Sequence, residues 1–218
     1  ISGERTGTIT VTGEEKLFPT NHVTAGDRIC AGTYLAAAAA SGGEIEITGV
    51  EPVVLVEPLK ALRKMGAGLR IFGAAGPKAR IRMVMERRPA GITIDTGPYP
   101  GFPTDLQSVF LAAEASGTGE SQIRETVYEA RFEAAVRLAS FGADVSVHGD
   151  TAIIKGRYPL LPGVVETPDL RGGAALLVAA LSAGGLSVVS DRGHLKRGYE
   201  DIVRDLRILG ADIEENIL

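Results

Sequence analysis

The chain has 218 residues, of which 44% are hydrophobic and 23% charged, a composition typical of a folded globular protein and not of a disordered one. At about 150 residues per domain, this length predicts one large domain or two small ones. The 23 basic and 27 acidic side chains leave a net charge of −4, which argues against a nucleic-acid partner because neutralising many phosphates requires a basic face.

Other global features limit the compartment and the partners. Cys30 is the only cysteine, which excludes a disulfide framework and favours a reducing cytoplasm. The longest uncharged apolar run, about eight residues from Ala174 to Leu181, is well short of the roughly 20 that span a bilayer, so no membrane partner is predicted. No secretory signal opens the chain. Because Ile1 is not an initiator residue, we expect the chain to be part of a longer protein.

The chain divides into two predicted parts. Residues 1–20 are expected to form a stray strand over Thr8–Thr12 and a turn, as the end of a neighbouring domain or a linker strand. Residues 21–218 are expected to form one domain that is organised by an internal repeat. Each repeat has an alanine-rich segment and, further along, a Gly-Ala step; the three steps lie at 66–67, 142–143 and 210–211.

One repeat is predicted to contain an alanine-rich helix, a short strand, an amphipathic helix and a new strand after the Gly-Ala step. The short strands are expected at 44–47, 121–124 and 186–189, with a hairpin turn at 148–150. The alanine-rich helices carry almost no charge, and a helix that is apolar on every side must be buried. We therefore predict an α/β fold with three buried helices at the centre and the sheets outside, an inside-out arrangement.

Each buried helix is predicted to begin at an aspartate: Asp27, Asp105 and Asp169. Aspartate is a preferred helix cap and suits the positive end of the helix dipole, so capping alone is sufficient reason for any one of them. The second interpretation is that three helix N-termini converge on a rim that binds anions through free N–H groups.

Four arginines fall at or near predicted helix starts: Arg28, Arg131, Arg171 and Arg197. The helix dipole disfavours a cation there, so stability does not require them. Each one alone could be a solvated surface residue. Four at corresponding edges of the repeats favour a site for a small anionic molecule, because arginine binds phosphate and carboxylate through paired hydrogen bonds.

The segment from Gly97 to Gln107 holds three prolines and is predicted to be a stiff loop that presents Thr104 and Asp105, with a purely structural turn as the alternative. Cys30 lies in a predicted apolar helix and is expected to belong to the protein core. The three histidines lack the spacing of metal ligands, so no metal is predicted. No other cofactor is predicted either.

From about residue 21 to 218 the chain resembles the C-terminal half of the UDP-N-acetylglucosamine enolpyruvyl transferases. The resemblance is carried by five motifs in order, which are GDRICAGTYL at 26–35, GFPTDLQ at 101–107, ETVYEARF at 125–132, PDLR at 168–171 and RGYE at 197–200. In this family the PTDLQ segment distinguishes its members from the enolpyruvyl transferases of the shikimate pathway.

The resemblance implies two similar domains, each an inside-out barrel of three βαβαββ units, with the active site between them. It implies transfer of the enolpyruvyl group of phosphoenolpyruvate to the 3′-hydroxyl of UDP-N-acetylglucosamine, with release of phosphate. That reaction is the first committed step of peptidoglycan synthesis and serves cell wall biogenesis, cell shape and cell division in the cytoplasm. The partners implied are the two substrates and the absent N-terminal half, without which we expect the chain to be inactive.

The resemblance also implies roles for single residues. Asp105 matches the aspartate that contacts the acceptor hydroxyl, and Arg197 matches a position near phosphoenolpyruvate; these two are the predicted catalytic residues. The predicted substrate-binding residues are Asp105, Val127, Arg131, Asp169, Arg171 and Arg197, of which Val127 acts through its backbone. Two alternatives stay open: a non-catalytic UDP-sugar-binding or regulatory relative, and a transferase with another enolpyruvyl acceptor.

Overall fold

The computed structural model describes residues 1–4, 6–73, 79–129 and 131–216. In the N-terminal segment Ser2 and Thr10 pair through their backbones, but no strand forms over Thr8–Thr12, so that prediction was wrong. Ile9 and Val11 stay largely exposed. The alternating pattern therefore has no surface in this chain to pack against, and a strand depends on such packing for its stability. Assignment of residues 1–20 to a neighbouring domain stays a prediction.

Three successive repeats of helices and strands follow. The elements of the first repeat are α1 (Arg28–Ser41), β1 (Gly43–Thr48), α2 (Val56–Lys64), β2 (Gly68–Phe72) and β3 (Arg80–Met85). Those of the second repeat are β4 (Thr93–Asp95), α3 (Thr104–Ala115), β5 (Glu120–Arg124), α4 (Glu133–Leu138), β6 (Asp144–His148) and β7 (Thr151–Lys155). Those of the third repeat are β8 (Val164–Glu166), α5 (Leu170–Leu181), β9 (Val188–Ser190) and α6 (Ile202–Ile208). The predicted hairpin at 148–150 is confirmed as the turn between β6 and β7.

The alanine-rich helices α1, α3 and α5 form the centre of the fold, and each contacts the other two. Helices α1 and α3 run in the same direction, because Gly32 near the start of α1 lies against Leu106 at the start of α3, while the Ser116 hydroxyl at the end of α3 donates to the Ala40 carbonyl at 3.3 Å. A Cβ on Gly32 would lie 2.5 Å from a Leu106 methyl group, so any larger residue would force the Leu106 side chain to move. The prediction of three buried central helices is confirmed.

The sheets lie outside these helices. Their strand orders are β1-β3-β2, β4-β5-β7-β6 and β8-β9. On β3 the side chains of Ile81, Met83 and Met85 are buried, and this strand contacts α1. Arg82, on the opposite face of β3, pairs with Glu44 in solvent. Strand β3 thus alternates between the helical core and water, and the predicted inside-out α/β arrangement is confirmed.

The third repeat departs from the prediction in its strands. In the first two repeats the Gly-Ala step comes directly before a strand, β2 or β6. In the third repeat no strand follows the step over the described residues 211–216. Both β2 and β6 pair antiparallel with the strand that comes next in the chain, and the described chain ends before such a returning strand. A strand needs a hydrogen-bonding neighbour, so this segment stays irregular. Strand β9 begins at Val188, two residues later than expected.

One carboxyl group is buried among the central helices. Glu114 on α3 is 1% exposed. Its Oε2 accepts a hydrogen bond of 2.6 Å from the Ser121 hydroxyl, and its Oε1 has no partner among the described residues. Burial raises the pKa of Glu114 to about 8, and the hydrogen bond from Ser121 offsets only part of the rise. The group is therefore largely protonated in the folded chain at neutral pH and ionised in the unfolded chain.

This difference predicts a pH dependence of stability. The folded pKa of Glu114 lies above the unfolded value, so its contribution is fully present below about pH 4.5 and is lost as pH rises to about 8. Since one pKa unit corresponds to about 1.4 kcal/mol, the loss amounts to a few kcal/mol. We expect Glu114→Gln to flatten the fall in unfolding free energy across this window, as measured by urea denaturation at several pH values.

The matched control is Glu120→Gln, an exposed position on β5, which should keep the wild-type pH profile. Equal slopes for wild type and Glu114→Gln would contradict the assignment of the titration to Glu114.

Candidate functional site

The three predicted helix-start aspartates prove to be of two kinds. The Asp27 carboxylate caps α1 by accepting from Ile29 N at 2.7 Å and Cys30 N at 3.2 Å, and Asp169 caps α5 by accepting from Gly172 N at 2.8 Å. Asp105 does not cap α3: it is the second residue of the helix, and Pro103 occupies the cap position without a side-chain bond. The prediction of a cap was wrong at Asp105 because its carboxylate turns away from the helix backbone to other partners.

Those partners are two arginines from different parts of the chain. Asp105 Oδ1 accepts from Arg131 Nη2 and Oδ2 accepts from Arg171 Nη2, both at 3.1 Å. Arg131 lies just before α4, and Arg171 is the second residue of α5. The side chains of Asp105, Arg131 and Arg171 are 35%, 14% and 19% exposed. The cluster is therefore shielded enough from water for strong charge-assisted hydrogen bonds, and still open to a ligand.

A buried glutamate holds the backbone around this cluster. Glu125 Oε1 accepts from the Thr96 hydroxyl at 2.7 Å and from the backbone N–H groups of Val127 and Tyr128 at 2.8 and 3.0 Å. Its Oε2 accepts from the Thr104 hydroxyl at 2.9 Å. Glu125 thus joins the end of β5, the loop after β4 and the first residue of α3.

Glu125 was not predicted as a site residue, although it belongs to one of the quoted motifs. Two of its partners, Thr96 and Thr104, lie 29 and 21 residues away in the chain. Only the folded arrangement reveals such a contact, since no local spacing marks it.

A cavity of about 340 Å³ opens beside Asp105. The proline-rich loop forms one wall, and within it Gly97 N–H donates to Phe102 O at 2.9 Å and Gly101 N–H to Pro98 O at 2.8 Å. The start of α2 and the turn before it form the opposite wall. The cavity-lining residues are Arg28, Val53, Val54, Val56, Glu57, Pro58, Gly97, Pro98, Tyr99, Pro100, Gly101, Pro103, Thr104, Asp105 and Val127. The predicted loop therefore presents Thr104 and Asp105 to a concave surface that is mainly apolar.

Arg197 lies close to this end of the molecule but outside the ion-pair cluster. It is the last residue of the 3₁₀ turn Leu195–Arg197, which packs on the start of α5 through Leu195 against Gly173. The Arg197 side chain is exposed, and no described acidic group pairs with it. The structure thus brings Asp105, Arg131 and Arg171 into direct contact, and places Arg197 beside the same helix end.

The expected location of Cys30 is only partly correct. It lies in α1, but half-buried. Burial raises the pKa of the Cys30 thiol, with a smaller opposing effect from a hydrogen bond to Tyr34. The thiol is thus less prone to ionise than an exposed one. The described residues contain no cluster of three or more histidine, cysteine or acidic side chains able to hold a metal ion, and none of the described helices is long and apolar enough to cross a membrane.

Comparisons with known proteins show the family to which the chain belongs. Residues 1–206 match the family model of EPSP synthase (3-phosphoshikimate 1-carboxyvinyltransferase), so the chain belongs to that family of enolpyruvyl transferases. Relatives named UDP-N-acetylglucosamine 1-carboxyvinyltransferase from Corynebacterium efficiens and Thermotoga maritima are 41% and 40% identical over 214 residues. These alignments cover 98% of this chain and 50% of each relative, so the chain spans about half the length of the relatives it matches.

Solved structures show the same fold. The enolpyruvyl transferase NikO from Streptomyces tendae superposes with a TM-score of 0.71 at 29% identity, over 84% of this chain and 43% of that one. EPSP synthase from Acinetobacter baumannii superposes with a TM-score of 0.70 at 19% identity, over 87% of this chain and 46% of that one. The inside-out fold is therefore shared with members of the family that differ widely in sequence.

The role assigned to Glu125 leads to a prediction about stability. Replacing it by alanine leaves four hydrogen-bond donors around the cavity without their acceptor. Since a hydrogen bond to a charged group is worth about 1.5–3 kcal/mol, we expect Glu125→Ala to lower the unfolding free energy by roughly 3 kcal/mol or more, measured by urea denaturation. The exposed Glu129 offers the matched control, and Glu129→Ala should stay within about 0.5 kcal/mol of wild type. An unchanged urea midpoint for Glu125→Ala would rule out this role.

Proposed function

We propose that this chain supplies one half of the active site of a cytoplasmic enolpyruvyl transferase. The substrates are phosphoenolpyruvate and UDP-N-acetylglucosamine, and the reaction is the first committed step of peptidoglycan synthesis, on which cell wall biogenesis, cell shape and cell division depend. The observation that carries this proposal is the Asp105 carboxylate held between Arg131 and Arg171 at the mouth of a cavity. The names of the relatives at about 40% identity support the choice of the sugar nucleotide as acceptor.

The carboxylate is suited to orient a hydroxyl group. Each Asp105 oxygen accepts one guanidinium hydrogen bond, and a carboxylate oxygen has lone pairs for about two. The 3′-hydroxyl of the sugar can therefore donate to Asp105 while both ion pairs persist. Fixing the hydroxyl in this way directs its oxygen at C2 of phosphoenolpyruvate. In the net reaction a C–O bond forms at C2, the bond from C2 to the phosphate oxygen breaks with its electron pair staying on that oxygen, and the hydroxyl proton leaves with the released phosphate.

The arginines supply positive charge for anionic groups. A guanidinium group has five N–H donors; Arg131 uses one on Asp105 and its Nε–H on the Thr104 hydroxyl, and Arg171 uses one on Asp105. The remaining donors and the exposed Arg197 are available to phosphate and carboxylate oxygens, with Arg197 assigned to phosphoenolpyruvate. Val127 lines the cavity. Its N–H donates to Glu125, so we assign its backbone carbonyl oxygen to the sugar nucleotide. Asp169, also assigned to substrate binding, caps the helix that carries Arg171 through one carboxylate oxygen.

The other half of the protein is the required partner. The chain covers half the length of its relatives, and its charge cluster is partly exposed. We assign the remaining wall of the cleft to the N-terminal half, so this chain alone is expected to be inactive. The proposal includes neither a nucleic acid nor a membrane as partner.

The assigned role of Asp105 is tested by Asp105→Ala in the complete protein. We expect kcat to fall about 100-fold to 1,000-fold, because the hydroxyl loses the group that orients it during the reaction. Binding of phosphoenolpyruvate should change much less, since its anionic groups contact arginines. Phosphate release measures kcat, and calorimetric titration measures binding.

Asp95→Ala is the matched control, because Asp95 forms an exposed ion pair with Arg124 on the outer sheet. It should leave both quantities near their wild-type values. Near-normal turnover of Asp105→Ala would refute the assigned role. The wild-type protein could instead form no product with UDP-N-acetylglucosamine and turn over another hydroxyl acceptor. That result would support enolpyruvyl transfer and reject UDP-N-acetylglucosamine as the acceptor.

A further inference from the structure

An aromatic ring covers the guanidinium of Arg131, the arginine that binds Asp105 Oδ1. The guanidinium carbon lies over the Tyr128 ring, 4.5 Å from the ring centroid. An aromatic face attracts a cation within about 6 Å of its centroid. The Arg131 side chain is 14% exposed and Tyr128 is 51% exposed. The ring is thus the more exposed of the two groups, and it shields the cation from water on the face that it covers.

Main-chain hydrogen bonds fix the ring beside the guanidinium. Tyr128 N–H donates to Glu125 Oε1 at 3.0 Å, and Glu125 is 4% exposed. The Tyr128 carbonyl oxygen accepts from Arg131 N–H at 3.2 Å. Tyr128 is therefore bound on one side to the buried glutamate that supports the site and on the other to the arginine whose side chain it covers.

The ring and the hydrogen-bond partners contact different parts of the guanidinium. Arg131 Nη2 donates to Asp105 Oδ1 at 3.1 Å, and Nε donates to the Thr104 hydroxyl at 3.4 Å. The bond to Asp105 is longer than the roughly 2.7–2.9 Å of a strong charge-assisted hydrogen bond, so hydrogen bonding alone leaves the side chain some freedom. A contact on the guanidinium face uses no N–H donor, so the ring restricts Arg131 and leaves its remaining donors for a ligand.

We propose that Tyr128 is a positioning residue whose ring holds the Arg131 guanidinium in the orientation that binds Asp105. The proposal rests on the function proposed above and extends it to a residue outside the ion-pair cluster. An arginine side chain has several rotatable bonds, and contact with an aromatic face restricts them. Asp105 is more exposed than Arg131, so its orientation toward the acceptor hydroxyl depends on how firmly Arg131 is held.

The test is Tyr128→Leu in the complete protein, which keeps an apolar side chain and removes the aromatic face. We expect kcat/KM to fall about tenfold, mainly through kcat, with little change in melting temperature because the position is half exposed. Tyr128→Phe keeps the ring and should stay within about twofold of wild type. The matched control is Phe72→Leu, which removes an exposed ring that lies 5.4 Å from the Arg80 guanidinium on the outer sheet, and it should leave kcat/KM unchanged.

A double-mutant cycle distinguishes an action through Arg131 from a direct contact with substrate. If Tyr128 acts through Arg131, then Tyr128→Leu has no further effect on kcat/KM once Arg131→Ala is present. Equal effects in both backgrounds would overturn the proposal. Wild-type activity of Tyr128→Leu, or a loss in Tyr128→Phe as large as in Tyr128→Leu, would also overturn it.

A readout without turnover separates this proposal from the proposed function. Phenylglyoxal modifies accessible arginine side chains, and peptide mapping by mass spectrometry gives the modification rate at Arg131, with Arg80 as the internal reference. We expect the rate at Arg131 to rise severalfold in Tyr128→Leu and to keep its wild-type value in Tyr128→Phe. A rise in a protein that forms no enolpyruvyl product would support the role of Tyr128 and reject the function. Equal rates in wild type and Tyr128→Leu would reject the positioning role even if the reaction occurs.

Discussion

The whole architecture depends on three helices that have no polar face. Because α1, α3 and α5 are apolar all round, they reach a stable environment only by packing on one another, and the sheets must then cover them from outside. Small residues permit the close approach, most directly at Gly32 of α1 against Leu106 of α3. Since α1 and α3 run in the same direction and Arg171 at the start of α5 reaches Asp105 at the start of α3, all three helix starts share one end.

The charged cluster of Asp105, Arg131 and Arg171 lies at this shared end of the helices. A lone arginine in the first turn of a helix is disfavoured by the helix dipole. At Arg171 this cost is offset by Asp105, which pairs with it, and by Asp169, which caps the same helix. One carboxylate between two guanidinium groups leaves a positive charge at the cavity mouth, although the chain as a whole carries −4. A local anion site in an acidic protein is thus a consequence of which residues the helix packing brings together.

Features governed by local pattern could be predicted from the sequence. The uncharged helices, the hairpin at 148–150 and the caps at Asp27 and Asp169 each follow from residues within a few positions of one another. Asp105 has the same local pattern as the two capping aspartates, and its different role appears only when Arg131 and Arg171 arrive from 26 and 66 residues away. Glu125 was missed for the same reason. The irregular segment after residue 211 was mispredicted because a strand depends on a neighbour that the described chain does not provide.

The two buried acids near α3 show how environment decides what a carboxyl group does. Glu114 has one hydrogen bond, from Ser121, and among the described residues no cation pairs with it, so the neutral form is favoured and the group adds a pH-dependent cost to folding. Glu125 is about equally buried but accepts four hydrogen bonds, which compensate an anion for the loss of water. The same residue type therefore acts as a stability-limiting group at one end of α3 and as the support of the site at the other. The difference lies in the hydrogen-bond donors that surround each carboxylate. At the end of α3 that carries the site, the loops after β4 and β5 supply donors to Glu125.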